Sequence, residues 1–589
     1  MNDDARIIAK GSEIPSHYYA DQPYVVRTDD GAWLSVMTTG QGREGATGQF
    51  VITQRSTDRG STWTDEQRME NQGSPENSWG VLLKGPSGRV FCFYVFNADN
   101  YRKVPADPES AAYPDGYCYR VDSLGLYVFR YSDDHGKSWS DARLTVPVRE
   151  FRIDRENPTG GKIRYFWNVG KPFVHESIAY VPLHKVGGFG AGFFSSSEGA
   201  IAASADLLTV DNPANASWKT LPEGDRGIRA PEGHGSVAEE HSFTVLHDGT
   251  FFTVYRTISG YPACSYSRDR GRTWSEPDRM RFADGRPIKH PRAANFVWKC
   301  ANGNYLYWFH NQGGPYVHEM HEKDATFPYS NRNPVWLSGG VEADSPEGRI
   351  IRWSEPEISL YDDDPFIRMS YPDLFEENGK LYVSETQKDV ARVHELDTAT
   401  VRGLWRQLEN TRSIGPEPDF MAEPDSPIQE LPRFAERNQK SRDYGTKDLR
   451  QGFSLDLVMQ TVSDSRLVFD NRNKGGKGIA LYQVDSGFEF LMSDGQYSVL
   501  APIFYRWTGE TARLTIIADG GPKIISAVCD GRFADGGDAR QFGWTRFGPY
   551  LSDVNSSVAM KFGPALRMFA AYRRSLRVSE AVALHNVTG

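Results

Sequence analysis

The chain has 589 residues, too many for one small core, and its 24% charged and 39% hydrophobic residues suit a folded protein of two or three domains. A net charge of −10 without a long basic run argues against nucleic acid and anionic membranes as partners. There is no apolar run of about 18 residues, and five scattered cysteines, Cys92, Cys118, Cys264, Cys300 and Cys529, form neither a disulfide framework nor a CxxC metal site, so buried free thiols are expected.

The opening, "MNDDARIIAKGSEIP", has no basic and apolar leader pattern. It implies a cytoplasmic protein if Met1 is native, and a secreted or periplasmic one if a leader was trimmed. Glycine (56 residues) and aromatics (13%) are abundant, which favours strands and turns, and surface aromatics also suit sugar stacking.

Three segments share the pattern S-x-D-x-G-x-[ST]-W: "STDRGSTW" (56–63), "SDDHGKSW" (132–139) and "SRDRGRTW" (267–274). A degenerate copy with Ser204, Asp206 and Trp218 fills the longer gap between the second and third. The chemistry is that of a tight turn. The Asp accepts backbone N–H groups, the Gly takes positive φ and the Trp covers the hairpin base. Asp58, Asp133 and Asp269 are therefore read as structural.

A second repeat has an apolar strand, a turn and another apolar strand, six times over. The copies are "QPYVVRTDDGAWLSVMTTG", "SWGVLLKGPSGRVFCFYVFN", "GKPFVHESIAYVPLHKVGG", "EEHSFTVLHDGTFFTVYRT", "RAANFVWKCANGNYLYWFHN" and "SYPDLFEENGKLYVSETQK"; only the third lacks the turn glycine. Six such units predict a six-bladed β-propeller over residues 1–405. The proline-rich acidic stretch around "SIGPEPDFMAEPDSPIQELPRF" reads as a linker or strap, 406–445. Short alternating strands over 446–589 predict a β-sandwich, so the fold class is all-β.

In a propeller the starts of the innermost strands and the ends of the next line one mouth of the channel. The first group contains Asp21, Gln22, Asn77 to Trp79, Asn168, Lys171, Glu239, Glu240, His241, Arg292, Asn295, Tyr371 and Asp373. The second contains His184, Arg256, His310, Asn311, Glu385 and Lys388. Carboxylates, imidazoles and arginines recurring in register point to a site. Asp21, Glu240 and Asp373 would form a carboxylate cluster, which drives pKa values apart and supplies an acid beside a base. "HEMHEKD" (318–324) lacks the context of a metal-binding helix and reads as a solvated polar loop; neither a metal nor a cofactor is expected. The acid-rich run "GVEADSPEGRIIRWSEPEISLYDDDPF" reads as a blade edge and loop.

The repeated turns resemble the Asp-boxes of the sialidase superfamily, six-bladed propellers, over about residues 15–405. The C-terminal region resembles concanavalin/laminin-G jelly rolls, which would either bind carbohydrate or brace the propeller. The sialidase resemblance implies a Glu and an Arg sixteen residues apart on one hairpin, matched by Glu240 and Arg256. It also implies a nucleophilic Tyr at a late inner-strand start, matched by Tyr371, which the Glu deprotonates. A further family arginine matches Arg332 in "SNRNPVW".

Two departures stand out. Asp21 occupies the place of the family's first arginine, so the three-arginine clamp is expected to be incomplete. Glu44, in "GQGREGATGQF", is the only acid in the loop that carries the family's acid/base Asp. The expected function is glycoside hydrolysis of a terminal, possibly acidic, sugar other than ordinary sialic acid. Asp21, Glu240 and Tyr371 would perform the chemistry on an oligosaccharide or polysaccharide substrate. Arg256, His241, Arg292, Asp373, Glu239, His310 and Lys388 would hold it. A lyase on uronic-acid glycans and a non-catalytic glycan-binding propeller are the alternatives.

Overall fold

The structure, a computed structural model, describes residues 4–409, 415–423, 433, 449–460, 466–507 and 509–588. Six antiparallel sheets follow one another along the chain as blades. Their innermost strands are Tyr19–Arg27, Asn77–Lys84, Phe166–Trp167, Glu239–Val245, Phe296–Lys299 and Ser370–Glu377, for blades I to VI. The ring is closed by the N-terminus. Ser12–Ile14 is the outermost strand of blade VI and pairs with Ala391–Glu395, Ile14 opposite Ala391. The first strand of the chain thus completes the last blade and ties the two ends of the ring together.

The turn motif works as its chemistry requires. Asp58 accepts from the Thr62 N–H at 2.8 Å, Asp269 from the Thr273 N–H at 2.9 Å, and Asp206 from the Ser217 N–H at 2.9 Å. In the second copy the residue is Asp134, not Asp133. Asp134 accepts from the Lys137 and Ser138 N–H groups at 3.0 and 2.9 Å, while Asp133 points outward to Arg89. Two consecutive residues take positive φ in each full copy: Arg59 and Gly60, His135 and Gly136, Arg270 and Gly271. In the hairpin without a turn glycine, Glu176 and Ser177 adopt the same left-handed conformation (φ 47° and 63°).

Four inner strands carry a bulge one to three residues from their start. Register slips between Asp21 and Tyr24, Ser78 and Val81, Glu239 and Ser242, and Ser370 and Asp373. At each bulge a non-glycine residue has positive φ: Gln22 (53°), Trp79 (62°), Glu240 (57°) and Tyr371 (46°). Such residues are uncommon, and a bulge re-aims a side chain that the regular pleat would turn elsewhere.

The C-terminal region is a sandwich. One sheet contains Phe453–Gln460, Thr511–Asp519, Ile524–Cys529 and Leu566–Tyr572, the other Leu467–Asp470, Gly478–Val484, Gly487–Ser493 and Ser498–Phe504. Leu455, Ile516 and Phe569 from the first pack with Phe469, Leu481 and Phe490 from the second. The expected linker begins to be sheet earlier than its composition suggests. Phe420–Ala422 is an edge strand beside Leu566–Tyr572. The remainder of 406–445 beyond 409, apart from 415–423 and 433, lies outside the described residues. The helices Thr398–Arg406 and Val578–Thr588 are additions to the all-β plan. The five cysteines are free thiols, four of them buried. Among the described residues no helix is long and apolar enough to cross a membrane.

The acid-rich run lies in the outer strands of blade V and fastens the sandwich. Glu357 accepts from the Val578 and Ser579 N–H groups at 2.9 and 2.7 Å, capping the last helix. Asp363 pairs with Lys523 and Arg450. Between these bonds Trp336 and Ile358 of the propeller share an apolar cluster with Ile517, Ile524, Phe533 and Val582. Trp336 meets Phe533 edge to face at 5.4 Å. We expect Phe533→Ala to destabilise the protein by about 3 kcal/mol and to split thermal unfolding into separate propeller and sandwich transitions. An unchanged single transition in calorimetry would show that this cluster does not couple the two parts.

Candidate active site

The bulges of blades IV and VI bring Tyr371 and Glu240 together. The Tyr371 hydroxyl donates to Glu240 Oε1 at 2.7 Å, and Arg256 Nη1 lies 3.0 Å from the same oxygen. Arg256 stands at the end of the neighbouring strand Phe251–Arg256, where Glu239 pairs with it in register. Its Nε donates to Glu239 Oε2 at 2.5 Å, and Arg292 Nη2 donates to Glu239 Oε1 at 2.6 Å. Tyr371 is 2% exposed and Glu240 fully buried.

A second charged chain adjoins Tyr371. Asp21 Oδ2 accepts from the Tyr19 hydroxyl at 2.5 Å and from Lys388 Nζ at 2.6 Å. Lys388 also reaches Glu44 at 3.0 Å, and its ammonium sits 4.2 Å from the Tyr371 ring centre. Arg120 then joins Glu44 (2.9 Å) to Asp122 (2.7 Å). Trp79 and Trp167, 4.7 Å apart, close one wall, Trp79 standing 6.5 Å from the Tyr371 ring.

These surroundings sort the carboxylates. Burial raises Glu240 above the ordinary glutamate range although Arg256 opposes it. Burial likewise raises Asp21 against the pull of Lys388, with Glu44 adding to the rise. Burial acts on Glu239 too, but Arg256 and Arg292 outweigh it and bring that carboxyl down to about 2. Lys388 and Arg120 outweigh burial at Glu44 and hold it well below the usual range. Burial and the neighbouring Glu240 push Tyr371 well above an ordinary phenol. One carboxyl of each adjacent pair is thus stabilised as the ion and the other toward its protonated form.

The arginine cluster is fuller than the sequence suggests. Arg256, Arg292 and Arg332 all surround the Tyr329 ring, at 5.8, 5.1 and 5.9 Å from its centre. Arg292 comes from the approach to blade V rather than from the start of blade I. Arg332 donates only to neutral acceptors: Ser370 Oγ at 2.6 Å, the Tyr329 carbonyl at 3.1 Å and the Arg292 carbonyl at 3.3 Å. Burial lowers its pKa.

Of the ten expected site residues, Asp21, Glu239, Glu240, Arg256, Arg292, Tyr371 and Lys388 come together. Asp373 does not join their carboxylate cluster. Both its oxygens bind Lys171 Nζ (2.7 and 2.8 Å), and Oδ2 accepts from the Val25 N–H at 3.0 Å, because the bulge at Tyr371 turns the following residues toward blade I. His241 stacks on Tyr255 at 4.3 Å between blades III and IV, and His310 on His290 at 5.5 Å. Burial holds both imidazoles well below their ordinary pKa. They support the site from behind and touch neither Tyr371 nor Glu240. Tyr19, Arg120, Asp122 and Tyr329 were not singled out from the sequence. The "HEMHEKD" segment is not a loop: it is helical to Lys323, in Pro315–Lys323, and ends at the C-cap Asp324. Among the described residues no group of three or more His, Cys, Asp or Glu is disposed to hold a metal ion.

No curated protein matches the chain. Among solved structures it is similar to the intramolecular trans-sialidase of Ruminococcus gnavus, with 14% identity, 67% of this chain and 97% of that one covered, and a TM-score of 0.43. It is similar to the NanB sialidase of Streptococcus pneumoniae (14% identity, 67% and 71% covered, TM-score 0.45) and to Trypanosoma rangeli sialidase (13%, 98% and 96%, 0.43). At such identities the likeness concerns the fold alone. Residues 34–383 match the BNR repeat-like domain, and this span is more than half of the chain. With the four Asp-box turns and six blades described above, the chain belongs to the BNR repeat-like domain family.

Proposed function

We propose that this protein is a glycoside hydrolase that removes a terminal acidic sugar other than ordinary sialic acid, with Tyr371 as nucleophile. The observation that carries the reading is the 2.7 Å hydrogen bond from Tyr371 to Glu240, whose carboxylate is shared with Arg256. A phenol is a poor nucleophile near neutral pH and needs a base within hydrogen-bond reach. Glu240 takes the phenolic proton as the Tyr371 oxygen bonds to the anomeric carbon. The glycosidic bond breaks, and its oxygen takes a proton from Asp21. Water then attacks the anomeric carbon, Asp21 recovers a proton from it, and the Tyr371 oxygen leaves with the proton held by Glu240. Lys388 and Tyr19 keep Asp21 oriented at the oxygen they share.

The acidic character of the substrate rests on Arg332. A buried guanidinium that meets only neutral acceptors is an expensive arrangement, relieved by an incoming carboxylate. Asp21 and Lys388, in place of an arginine, suit sugar hydroxyls on the opposite side.

Two outcomes follow. In a screen of aryl glycosides of acidic sugars and of uronic-acid polysaccharides, Glu240→Gln should lower turnover by about 10²–10⁴-fold and Tyr371→Phe should reduce it to background. Full activity in both variants would sink the assignment, and ultraviolet absorbance from an unsaturated uronide would make the enzyme a lyase instead. Second, Glu240 must be ionised to accept the proton, and burial raises its pKa. The acid limb of kcat/KM should therefore fall at higher pH than the ordinary glutamate value of about 4.3. Arg256→Met should move that limb higher still, because Arg256 opposes the rise; a limb that stays put or moves down would exclude Glu240 as the base. The same raised pKa means that ionising Glu240 costs folded-state stability as pH rises through it.

A further inference from the structure

Blade V carries a long insertion between its strands Tyr305–Phe309 and Val335–Ser345, and this insertion brings Tyr329 against the arginines of the site. It contains the helix Pro315–Lys323 and the turn Phe327–Tyr329. Tyr329 reaches inward from it, and its hydroxyl donates to the Gly192 carbonyl at the tip of the blade III hairpin. Gly192 itself packs against Ala325 and Arg292. Insertion and hairpin tip thus meet over a site whose reacting residues are buried. The Tyr329 ring fills the space among the guanidiniums of Arg256, Arg292 and Arg332, within 6 Å of all three.

Resting on the acidic-substrate reading above, we propose that Tyr329 is a specificity-determining residue, a charge-selective plug that an incoming acid group displaces from the three arginines. The ring face offers the cations a weak partner while the site is empty. A carboxylate repays its loss with charge-assisted hydrogen bonds; a neutral sugar has nothing equivalent to give. Binding that makes the same contacts with plugged and unplugged forms would shift nothing, so the selectivity resides in the difference between ring and carboxylate. The ends of the segment suit such a movement. Gly313 and Gly314 have φ of 148° and 77°, and Asn331 has φ of 59°. Gly313 is held by the sandwich, its N–H donating to the Gln541 carbonyl at 3.0 Å, while Arg332 is anchored to Ser370 beyond the other end. Tyr329 moves between two fixed points, and the arginines stay.

The test does not require turnover. Trp167 lies 5.6 Å from the Arg256 guanidinium, so tryptophan fluorescence reports occupancy when free glucuronate or N-acetylneuraminate is titrated, with glucose as the neutral control. Tyr329→Ala should bind one of these acids at least about tenfold more tightly than the wild type, with glucose unaffected. Tyr329→Phe, which keeps the ring but loses the bond to Gly192, should fall between them. In the unaltered protein, hydrogen exchange of amides 315–329 should accelerate with the acid and not with glucose, a measurement free of any folding defect in the variants. Equal or weaker acid binding by Tyr329→Ala, or exchange that the acid leaves unchanged or slows, overturns the plug. Acid binding with this pattern but without hydrolysis of any glycoside leaves the plug standing and fails the hydrolase reading alone.

Discussion

The site depends on a backbone constraint, the left-handed residue at the bulge of an inner strand. Each costs about 1–3 kcal/mol in a non-glycine residue, and four blades adopt it at one position. Without the bulge, successive side chains would alternate between the two faces of the blade, and Tyr371 and Glu240 would lie in the interfaces between blades. With it, both aim along the channel. They come from blades IV and VI, with blade V between them, and meet at hydrogen-bond distance. The tolerance for strain comes from the rest of the blade: the hairpin turns, the Asp-box turns and the N-terminal strand that closes the ring all hold the inner strand where it is.

Given that geometry, burial sets the electrostatics. Four carboxylates and five cations stand around Tyr371, all of them wholly or largely withdrawn from water. Desolvation alone would protonate every acid. Two are rescued as ions because two cations flank each: Arg256 and Arg292 at Glu239, Lys388 and Arg120 at Glu44. Glu240 and Asp21 receive what is left of Arg256 and Lys388, and so keep raised pKa values. The second carboxylate on each shared cation is thereby what leaves the first with a raised pKa. Arg332 is the remaining charge, and among the described residues it has only neutral acceptors.

The parts of this arrangement that repeat were legible in the sequence. Asp-box turns are local chemistry, so Asp58 and Asp269 declared their roles, although the doubled acid in "SDDHGKSW" put the expectation one residue early. The inner-strand starts recur in six hairpins, and seven of the ten residues drawn from them do converge. Asp373 was misplaced for a physical reason: the bulge at Tyr371 shifts the alternation, and nothing in the residue types announces a bulge. Glu44, Arg120 and Tyr329 all reach the site from the connection between the second and third strands of their blades, where no sequence repeat marks them. Glu44 was noticed through family resemblance; Tyr329 carried no periodic signal at all. The helix around "HEMHEKD" was hidden by its polarity, Val317 being its one buried apolar residue among those described.

The same insertion gives the sandwich a mechanical meaning. Segment 541–544 holds the start of the insertion: Gln541 donates to Gln312, and Trp544 Nε1 donates to the Asn311 carbonyl at 3.1 Å, beside the Gly313 bond. Nearby, Lys289 donates to the Asp535 and Arg540 carbonyls, and Tyr261 to Asp538, so the anchor is broad. A segment tethered at one end only would leave the arginines with the solvent as a competitor for their charge. Fixing its base at Gly313 limits the travel of Tyr329 to a swing about the hinge, which keeps the plug close enough to return. On this view the sandwich acts on the site by setting where that hinge stands.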